Sequence, residues 1–245
     1  MIFDSHMHVG SFDSMFGVSL DRDGIEQLMH EHGITGGVVF YPDHEYVREV
    51  VESIPGLYAL YWGNPRVPGY VEELREYLDH PKFIGLKLHP LIDGFHPNDP
   101  SVHPMIEAVQ ERGYPTLIHC RHPIFTLPWS IEELAVSFPD ARIVIGHMGH
   151  GNVVYINASI DIAERRPNVY LETSGMPMHT KIREAYERVG ETRVLFGTDV
   201  PFHHPLVEIT KVRVSGLDET GVERVLNRNG RLLFFGDELA DAPVS

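Results

Sequence analysis

The stretch MIFDSHMHVG at residues 1–10 distinguishes between two folds that the rest of the sequence permits, an open doubly wound sheet and a closed barrel. It begins with a short apolar run, Met1–His6, and continues into a loop that carries His8 and Gly10. In an open, doubly wound sheet the first strand is usually followed by a glycine-rich loop whose backbone amides bind phosphate. The loop here offers imidazole side chains instead of bare amides. The stretch therefore favours a closed barrel over a nucleotide-binding open sheet.

Runs of β-branched or aromatic residues recur along the chain, each followed by a polar turn and a segment with helical spacing. The eight runs are Met1–His6, Gly36–Tyr41, Leu57–Trp62, Phe83–His89, Tyr114–His119, Arg142–His147, Asn168–Thr173 and Arg193–Asp199. No two runs are joined by a tight hairpin, so the alternation predicts a parallel sheet. Eight strand–helix units in 245 residues match the size of a (β/α)8 barrel. We therefore expect one domain over residues 1–245, a single TIM barrel of the α/β class.

Helix signals between the runs support this alternation. Gly33, Gly113 and Gly190 directly follow three helical segments, as expected for helix ends. Ser130 and Glu133 predict a capping box at the start of a fourth. The predicted helices are Gly24–His32, Val71–Leu78, Pro104–Arg112, Ser130–Phe138 and Lys181–Val189.

Charge and cysteine content exclude several classes of protein. Asp and Glu total 35 against 20 Lys and Arg, a formal net charge of −15, which argues against nucleic-acid partners and anionic membranes. Cys120 is the single cysteine, so an internal disulfide is excluded. The first residues have no basic region and no long apolar run, so we expect neither a signal peptide nor a membrane span. We expect a cytoplasmic enzyme with a small-molecule substrate, and the apolar excess in Val153–Ile162 predicts association into a homo-oligomer.

The 16 histidines concentrate after the predicted strands. In a (β/α)8 barrel the active site forms at the carboxyl ends of the strands. His6 and His8 lie two residues apart at the end of the first strand, so strand alternation turns both toward the barrel mouth. His119 and His147 end the fifth and sixth runs, and Asp199 ends the eighth in the sequence FGTD. Three of these four imidazoles together with the carboxylate would suit Zn²⁺, and other first-row divalent ions also fit such ligands.

Short motifs at the strand ends carry a resemblance to a known family. They are HMH at 6–8, GLKLHP at 85–90, HC at 119–120, GHMG at 146–149, GTD at 197–199 and NGRLLF at 229–234. Together they resemble the amidohydrolase superfamily, and most closely its amidohydrolase-2 branch. This branch includes aminocarboxymuconate-semialdehyde decarboxylase and resorcylate decarboxylases alongside many hydrolases. The resemblance runs from Ile2 to about Phe235.

The resemblance implies an enzyme with one divalent metal ion, for which Zn²⁺ is the expected species. The implied ligands are His6, His8, His119 and Asp199. Asp199 would also accept a proton from the attacking water, and His147 would be the catalytic acid or base beside the metal. In other branches of the superfamily a carboxylated lysine on the fourth strand bridges two metal ions. Lys87 occupies that strand, so a two-metal site remains an alternative.

Other polar side chains near the strand ends are candidates for substrate binding. They are Lys87, His89, Arg121, His122, His150 and His203. Arg121 is suited to bidentate binding of a substrate carboxylate. Alternation leaves open whether Glu172 or Thr173 faces the barrel interior. Asp4 shares the inward side of the first strand, where it would orient a ligand imidazole or cap a backbone turn.

Two reactions fit the same set of ligands. The leading hypothesis is hydrolysis of a small amide, ester or lactone through metal-activated water. The alternative is non-oxidative decarboxylation of a small unsaturated or aromatic carboxylic acid, a carbon–carbon lyase reaction. A chain of 245 residues leaves little beyond the barrel, which favours the hydrolase because decarboxylases of this type tend to be longer. A barrel that only stores metal would not need an open, ligand-lined mouth.

Overall fold

The computed structural model describes residues 1–236, and most of the strands within them belong to one parallel sheet. The strands are, in chain order, β1 (Ile2–His8), β2 (Gly10–Ser11), β3 (Ser19–Leu20), β4 (Ile34–Phe40), β5 (Leu57–Gly63), β6 (Phe83–Leu88), β7 (Pro115–Ile118), β8 (Arg142–Ile145), β9 (Val169–Glu172) and β10 (Val194–Leu195). The eight strands other than β2 and β3 lie side by side in chain order, and each neighbouring pair is parallel. This order is that of a (β/α)8 barrel.

Backbone hydrogen bonds between the first and last strand segments close the sheet into a barrel. The N–H of Ser5 donates to the carbonyl oxygen of Phe196 over 2.9 Å, and the N–H of His8 donates to that of Val200 over 2.8 Å. Met7 and Val200 also form an isolated parallel bridge. The predicted single-domain TIM barrel is therefore confirmed. The predicted domain also includes residues 237–245, which lie outside the described residues.

Helices follow the strands and surround the barrel. They are α1 (Asp13–Phe16), α2 (Arg22–His32), α3 (His44–Ser53), α4 (Tyr70–Leu78), α5 (Pro90–Asp93), α6 (His103–Gln110), α7 (Pro128–Ser137), α8 (Val153–Arg165), α9 (His179–Val189), α10 (Pro205–Arg213), α11 (Glu219–Glu223) and α12 (Asn229–Phe235). The carboxylates of Asp21 and Asp43 cap α2 and α3 by accepting backbone N–H groups of the first turn. No helix in residues 1–236 is long and apolar enough to cross a membrane.

The predicted capping box at Ser130 is wrong. Helix α7 begins two residues earlier, with Pro128 in its first turn, and Leu127 occupies the cap position without a side-chain hydrogen bond. Proline is favoured at the first helical position because its missing N–H has no intrahelical partner there. Ser130 therefore lies inside the helix.

Apolar side chains pack in two layers. The larger cluster fills the space between the sheet and the helices, with Val39, Leu86 and Ile145 among its members. A smaller cluster takes side chains from the other face of the strands, such as Phe40 and Val144, together with residues of α12. Since successive side chains on a strand point to opposite faces, this second cluster is the barrel interior. The interior is thus packed beneath the mouth, as in other TIM barrels.

Several strands end earlier than the apolar runs suggest, although β1 and β5 extend slightly further. β7, β8 and β10 stop before His119, His147 and Asp199, so these three side chains belong to the loops that follow the strands. An antiparallel pair, β2 with β3, also forms within residues 9–23, where no strands were predicted. Both differences lie at the carboxyl end of the barrel.

Candidate metal centre

Three polar side chains from the two ends of the sequence converge at the barrel mouth. His6 and His8 come from β1, and Asp199 follows β10. Oδ1 of Asp199 lies 3.0 Å from Nε2 of His8 and 3.3 Å from Nε2 of His6. The three donor groups lie within 4.8 Å of one another, and all three side chains are buried. Two imidazoles and a carboxylate at this spacing can share one divalent ion.

Glu172, at the end of β9, fixes the orientation of His6. Nδ1 of His6 donates to Oε2 of Glu172 over 2.7 Å, so Nε2 retains its lone pair for a cation. The same carboxylate accepts the backbone N–H of His147 at 3.1 Å and the hydroxyl of Ser174 at 2.9 Å. Of the two residues that alternation left open, Glu172 and Thr173, it is Glu172 that reaches the site.

Gly197 allows His6 and Glu172 to approach each other closely. A Cβ at residue 197 would lie 2.7 Å from Cβ of His6 and would also collide with the carboxylate of Glu172. Real Cβ atoms do not approach other atoms so closely, and the packed interior cannot relax around them. The glycine of the FGTD motif is therefore required by the His6–Glu172 pair.

Two of the site residues have an unusual backbone conformation. The φ angle is 58° at Asp199 and 60° at His147, in the left-handed region that non-glycine residues seldom adopt. Such strain is concentrated at functional sites, where the surrounding structure holds it in place. Because of these φ angles, neither side chain points in the direction that the two-residue alternation of the preceding strand would give it.

His119 pairs with His147 and lies outside the three-donor cluster. Nδ1 of His119 is 3.0 Å from Nε2 of His147, and Nδ1 of His147 is 3.1 Å from the carbonyl oxygen of Ser174. A carbonyl oxygen only accepts, so Nδ1 of His147 carries its proton and Nε2 of His147 accepts from His119. Nε2 of His119 is then buried without a partner among the described residues. That nitrogen has the free lone pair that a metal ligand needs.

Lys87 lies beside the cluster and is fully buried. Its Nζ is 3.2 Å from Nε2 of His6 and 4.5 Å from the centre of the Phe40 ring. Burial lowers the pKa of Lys87 to about 7, although the carboxylates of Asp199 and Glu172 oppose the shift. A buried amine with this pKa is neutral in a large fraction of molecules at neutral pH.

Burial also dominates the electrostatics of the donor set. It lowers the pKa values of His6, His8 and His119 well below the usual range, so the imidazoles are neutral at physiological pH. Burial raises the pKa of Asp199 to about 7, and Lys87 opposes this shift. Neutral imidazole is the form that binds metal, and an adjacent cation would lower the pKa of the carboxyl group again.

A cavity of about 380 Å³ opens above the donor set. Its lining includes His8, Phe12, Met15, Phe16, His89, Leu91, Ile92, His119, Arg121, His122, Asp199 and Phe202. Of the predicted substrate-binding residues, His89, Arg121 and His122 line this cavity, whereas Lys87 is fully buried and is not among the lining residues. The apolar part of the wall comes largely from α1 and α5, two short helices that the sequence did not predict.

His150 and His203 lie to one side of the cavity and are not among its lining residues. Their ring centres are 6.5 Å apart, and Nε2 of His203 is 3.6 Å from Oδ2 of Asp199. Asp4 does not orient an imidazole. Its carboxylate instead accepts the backbone N–H of His6 and both the N–H and the hydroxyl of Thr198, which ties β1 to the loop after β10.

The amidohydrolase family model matches residues 13–235. The chain belongs to this family, in its amidohydrolase-2 branch. It is accordingly an enzyme. No curated protein matches the chain significantly by sequence.

Solved structures of the same fold include both decarboxylases and hydrolases. The 5-carboxyvanillate decarboxylase from Sphingomonas paucimobilis is 17% identical, covers 95% of this chain and 98% of its own, and has a TM-score of 0.75. A dihydroxybenzoic acid decarboxylase from a Polaromonas species, with bound manganese, is 18% identical over 98% of each chain, with a TM-score of 0.73. A structure assigned as a 2-pyrone-4,6-dicarboxylic acid hydrolase from Pseudomonas putida is 17% identical, covers 96% of this chain and 98% of its own, and also has a TM-score of 0.73. At these identities the likeness concerns the fold.

The residues present in this member of the family fit a divalent metal ion. His6, His8 and Asp199 form a converging donor set, and the lone pair of His6 is directed by Glu172. Nε2 of His119 is buried and unpartnered among residues 1–236, which is costly unless a ligand satisfies it. Family membership and the donor set together support a divalent ion here, without choosing between zinc and manganese.

Proposed function

We propose that the enzyme hydrolyses a small amide, ester or lactone with the aid of one divalent metal ion. The observation that carries this proposal is the position of Asp199. Its carboxylate contacts both imidazoles of the donor set and also lines the cavity. A carboxylate at the boundary between metal ligands and substrate space is suited to move the proton of a reacting water molecule.

We assign the metal ligands as His6, His8, Asp199 and, through its unpartnered Nε2, His119. A divalent ion held by these groups would lower the pKa of a bound water molecule and polarise a substrate carbonyl. Zn²⁺ is the ion we expect, because imidazole and carboxylate in small number suit its usual coordination. Lys87 is close enough to His6 for a carboxylated form to take part in a second metal site, which remains the alternative.

Asp199 handles the proton in this proposal. In hydrolysis the water oxygen bonds to the carbonyl carbon, the bond to the leaving oxygen or nitrogen breaks, and one water proton passes to the leaving group. Asp199 accepts that proton and returns it, since it contacts the imidazole donors and also lines the cavity. His147 acts through His119, because both of its ring nitrogens have protein partners and its side chain is not among those lining the cavity.

The cavity wall indicates the kind of substrate. Phe12, Phe16 and Phe202 form an apolar side, and their rings pack edge to face in pairs. Arg121 and His122 also line the cavity. A volume of about 380 Å³ is at the small end of ligand sites. We expect a compact, mainly apolar molecule with one polar or anionic group near Arg121.

The same wall favours a second candidate, decarboxylation of an unsaturated or aromatic acid. Removing water from around a carboxylate promotes loss of CO₂, and an aromatic wall next to Asp199 excludes water. In this reaction the carbon–carbon bond breaks, CO₂ leaves, and the carbon takes a proton. Asp199 is again the group placed to supply it.

Location and assembly are proposed from composition and surface. A reduced, buried Cys120 and an acidic chain suit a cytoplasmic enzyme. Val153, Val154 and Trp129 are exposed at the starts of α8 and α7, and we propose that they contribute to a homo-oligomer interface.

Metal analysis combined with product analysis tests the proposed function. The purified chain should contain close to one equivalent of a divalent metal, and dialysis against a chelator should abolish a turnover that added Zn²⁺ or Mn²⁺ restores. A panel of lactones, esters, amides and aromatic acids, followed by acid release and by CO₂ release, separates the two reactions. Asp199→Asn should lose turnover, with the exposed-site variant Asp161→Asn as control. CO₂ release without hydrolysis would select the lyase, and metal-independent turnover would overturn both.

A further inference from the structure

His89 lies at the junction of β6 and α5, and the backbone determines which of its nitrogens carries the proton. Its Nδ1 accepts the backbone N–H of Ile92 over 3.2 Å, which caps the short helix α5. That N–H also reaches the carbonyl oxygen of His89 itself at 3.1 Å, so the bond is shared. A proton on Nδ1 would oppose the N–H of Ile92 at this distance. The ring is therefore the neutral tautomer with its proton on Nε2.

The ring of His89 is held between two other rings. Trp62 stacks on it with the planes 6° apart and the centres at 5.4 Å, and His119 stacks on it at 20° and 3.9 Å. Trp62 is in turn held by its Nε1–H, which donates to Oδ2 of Asp93 over 3.0 Å. With both faces covered and Nδ1 engaged, the ring has one defined orientation.

Nε2 of His89 is the polar atom left for a ligand. The hydrogen bond that the ring makes among residues 1–236 uses Nδ1 and not Nε2, and the ring lines the cavity together with His8 and Asp199. Nε2 bears a proton and no lone pair, and Nδ1 is engaged, so the ring cannot act as a base without breaking its bond to Ile92. It can donate one hydrogen bond into the cavity.

We infer that Nε2–H of His89 donates a hydrogen bond to the substrate oxygen that becomes negative during the reaction. This inference rests on the proposed function, in which that atom is the carbonyl oxygen of the scissile group. A neutral donor fixed in advance stabilises developing charge without giving up its proton, and it needs no reorganisation at the moment of reaction. His89 thereby complements Asp199, which moves the proton.

Two substitutions separate the donor role from the capping role. Asparagine is a good helix cap, so His89→Asn keeps α5 capped but removes the donor at Nε2. His89→Gln is longer and restores a neutral N–H donor near that position. Both variants lose the stacked ring, so we expect similar melting temperatures for the two, whereas His89→Asn should keep the wild-type KM and lose about 100- to 1000-fold in kcat. His89→Gln should stay within about tenfold of wild type, as expected for an amide donor in place of an imidazole.

Equal kcat losses in His89→Asn and His89→Gln would overturn the inference, as would wild-type kcat in His89→Asn. The rates are measured on whichever panel compound the wild type converts, with release of acid or of CO₂ as the signal. If only CO₂ is released, the proposed hydrolase fails while the comparison of the two variants still tests His89.

Nitrogen NMR gives a readout that does not depend on turnover. In protein labelled with ¹⁵N-histidine at pH 7.5, the signals missing from His89→Asn identify His89. They should show a protonated Nε2 and an unprotonated Nδ1. A proton on Nδ1, or protons on both nitrogens, would overturn the inference whatever reaction the enzyme catalyses.

Discussion

Nδ1 of His6 donates to Oε2 of Glu172 over 2.7 Å, and both side chains are completely buried. The bond joins β1 to β9 across the barrel mouth. It sets the tautomer of an imidazole that, in the proposed metal site, binds through its other nitrogen. Partners of this kind raise the basicity of the ligand and hold its ring in place.

Glu172→Gln is therefore expected to weaken metal binding although residue 172 is not itself a ligand. The substitution removes the negative charge behind His6 and brings an NH₂ group next to donors such as the N–H of His147. We expect metal affinity to fall about 10- to 100-fold, as for other groups that orient metal ligands. Competition with a chromophoric chelator measures this, with Glu187→Gln on the exposed side of α9 as the matched control. Unchanged affinity in Glu172→Gln would show that His6 does not need this partner.

The sequence was sufficient for the barrel because the fold depends on a repeated pattern. Each predicted strand was followed by a polar turn and a helix. An error of one residue at the end of a strand therefore did not change the predicted order of strands and helices. The shared side to which His6 and His8 point was likewise predictable, since the two residues lie two apart within β1.

The details of the site depend on irregular backbone, which alternation does not describe. Glu172 is the last residue of β9, where the period of two ceases to apply, and His147 and Asp199 have positive φ angles. The apolar wall comes largely from α1 and α5, helices of four residues each that are too short for any periodicity to be visible. The tautomers of His119 and His89 follow from partners distant in sequence or from backbone N–H groups. None of these could be inferred from spacing alone.

The substitution His147→Ala tests whether His147 positions His119 or takes part in catalysis itself. Its Nε2 accepts from Nδ1 of His119, and its own Nδ1 is tied to Ser174. If it acts through His119, His147→Ala should lower metal affinity by about 10- to 100-fold. Saturating metal should then restore much of the rate.

The control for His147→Ala is His179→Ala, at the exposed start of α9. Full metal affinity together with a rate that saturating metal does not restore would contradict the positioning role. That result would instead support the acid or base role implied by the family resemblance.

Arg121 is the cavity residue expected to select substrates by charge. Loss of a hydrogen-bonded ion pair to a carboxylate corresponds to about 1.5–3 kcal/mol, or roughly 10- to 100-fold in KM. Arg121→Gln should show this increase with substrates that carry a carboxylate and little change with uncharged esters of the same shape. Arg183→Gln on the exposed face of α9 serves as control. An equal change for charged and uncharged substrates would remove Arg121 from substrate recognition.

The stability of the enzyme is expected to depend on pH through the carboxyl group of Asp93. Burial raises the pKa of its carboxyl group from 3.8 to about 6, against the opposing effect of the Trp62 hydrogen bond. An acid whose pKa is higher in the folded than in the unfolded state stabilises the fold fully below its unfolded pKa. That contribution is lost as the pH rises through the folded value, so the wild type should lose stability from Asp93 between about pH 4 and pH 6.

Asp93→Asn cannot ionise and should lack this component, so its melting temperature relative to wild type should rise across that range. Thermal unfolding at intervals of pH measures the difference, with Asp23→Asn on the exposed start of α2 as control. A constant difference between Asp93→Asn and wild type from pH 4 to pH 7 would show that the Asp93 carboxyl group titrates normally in the folded enzyme.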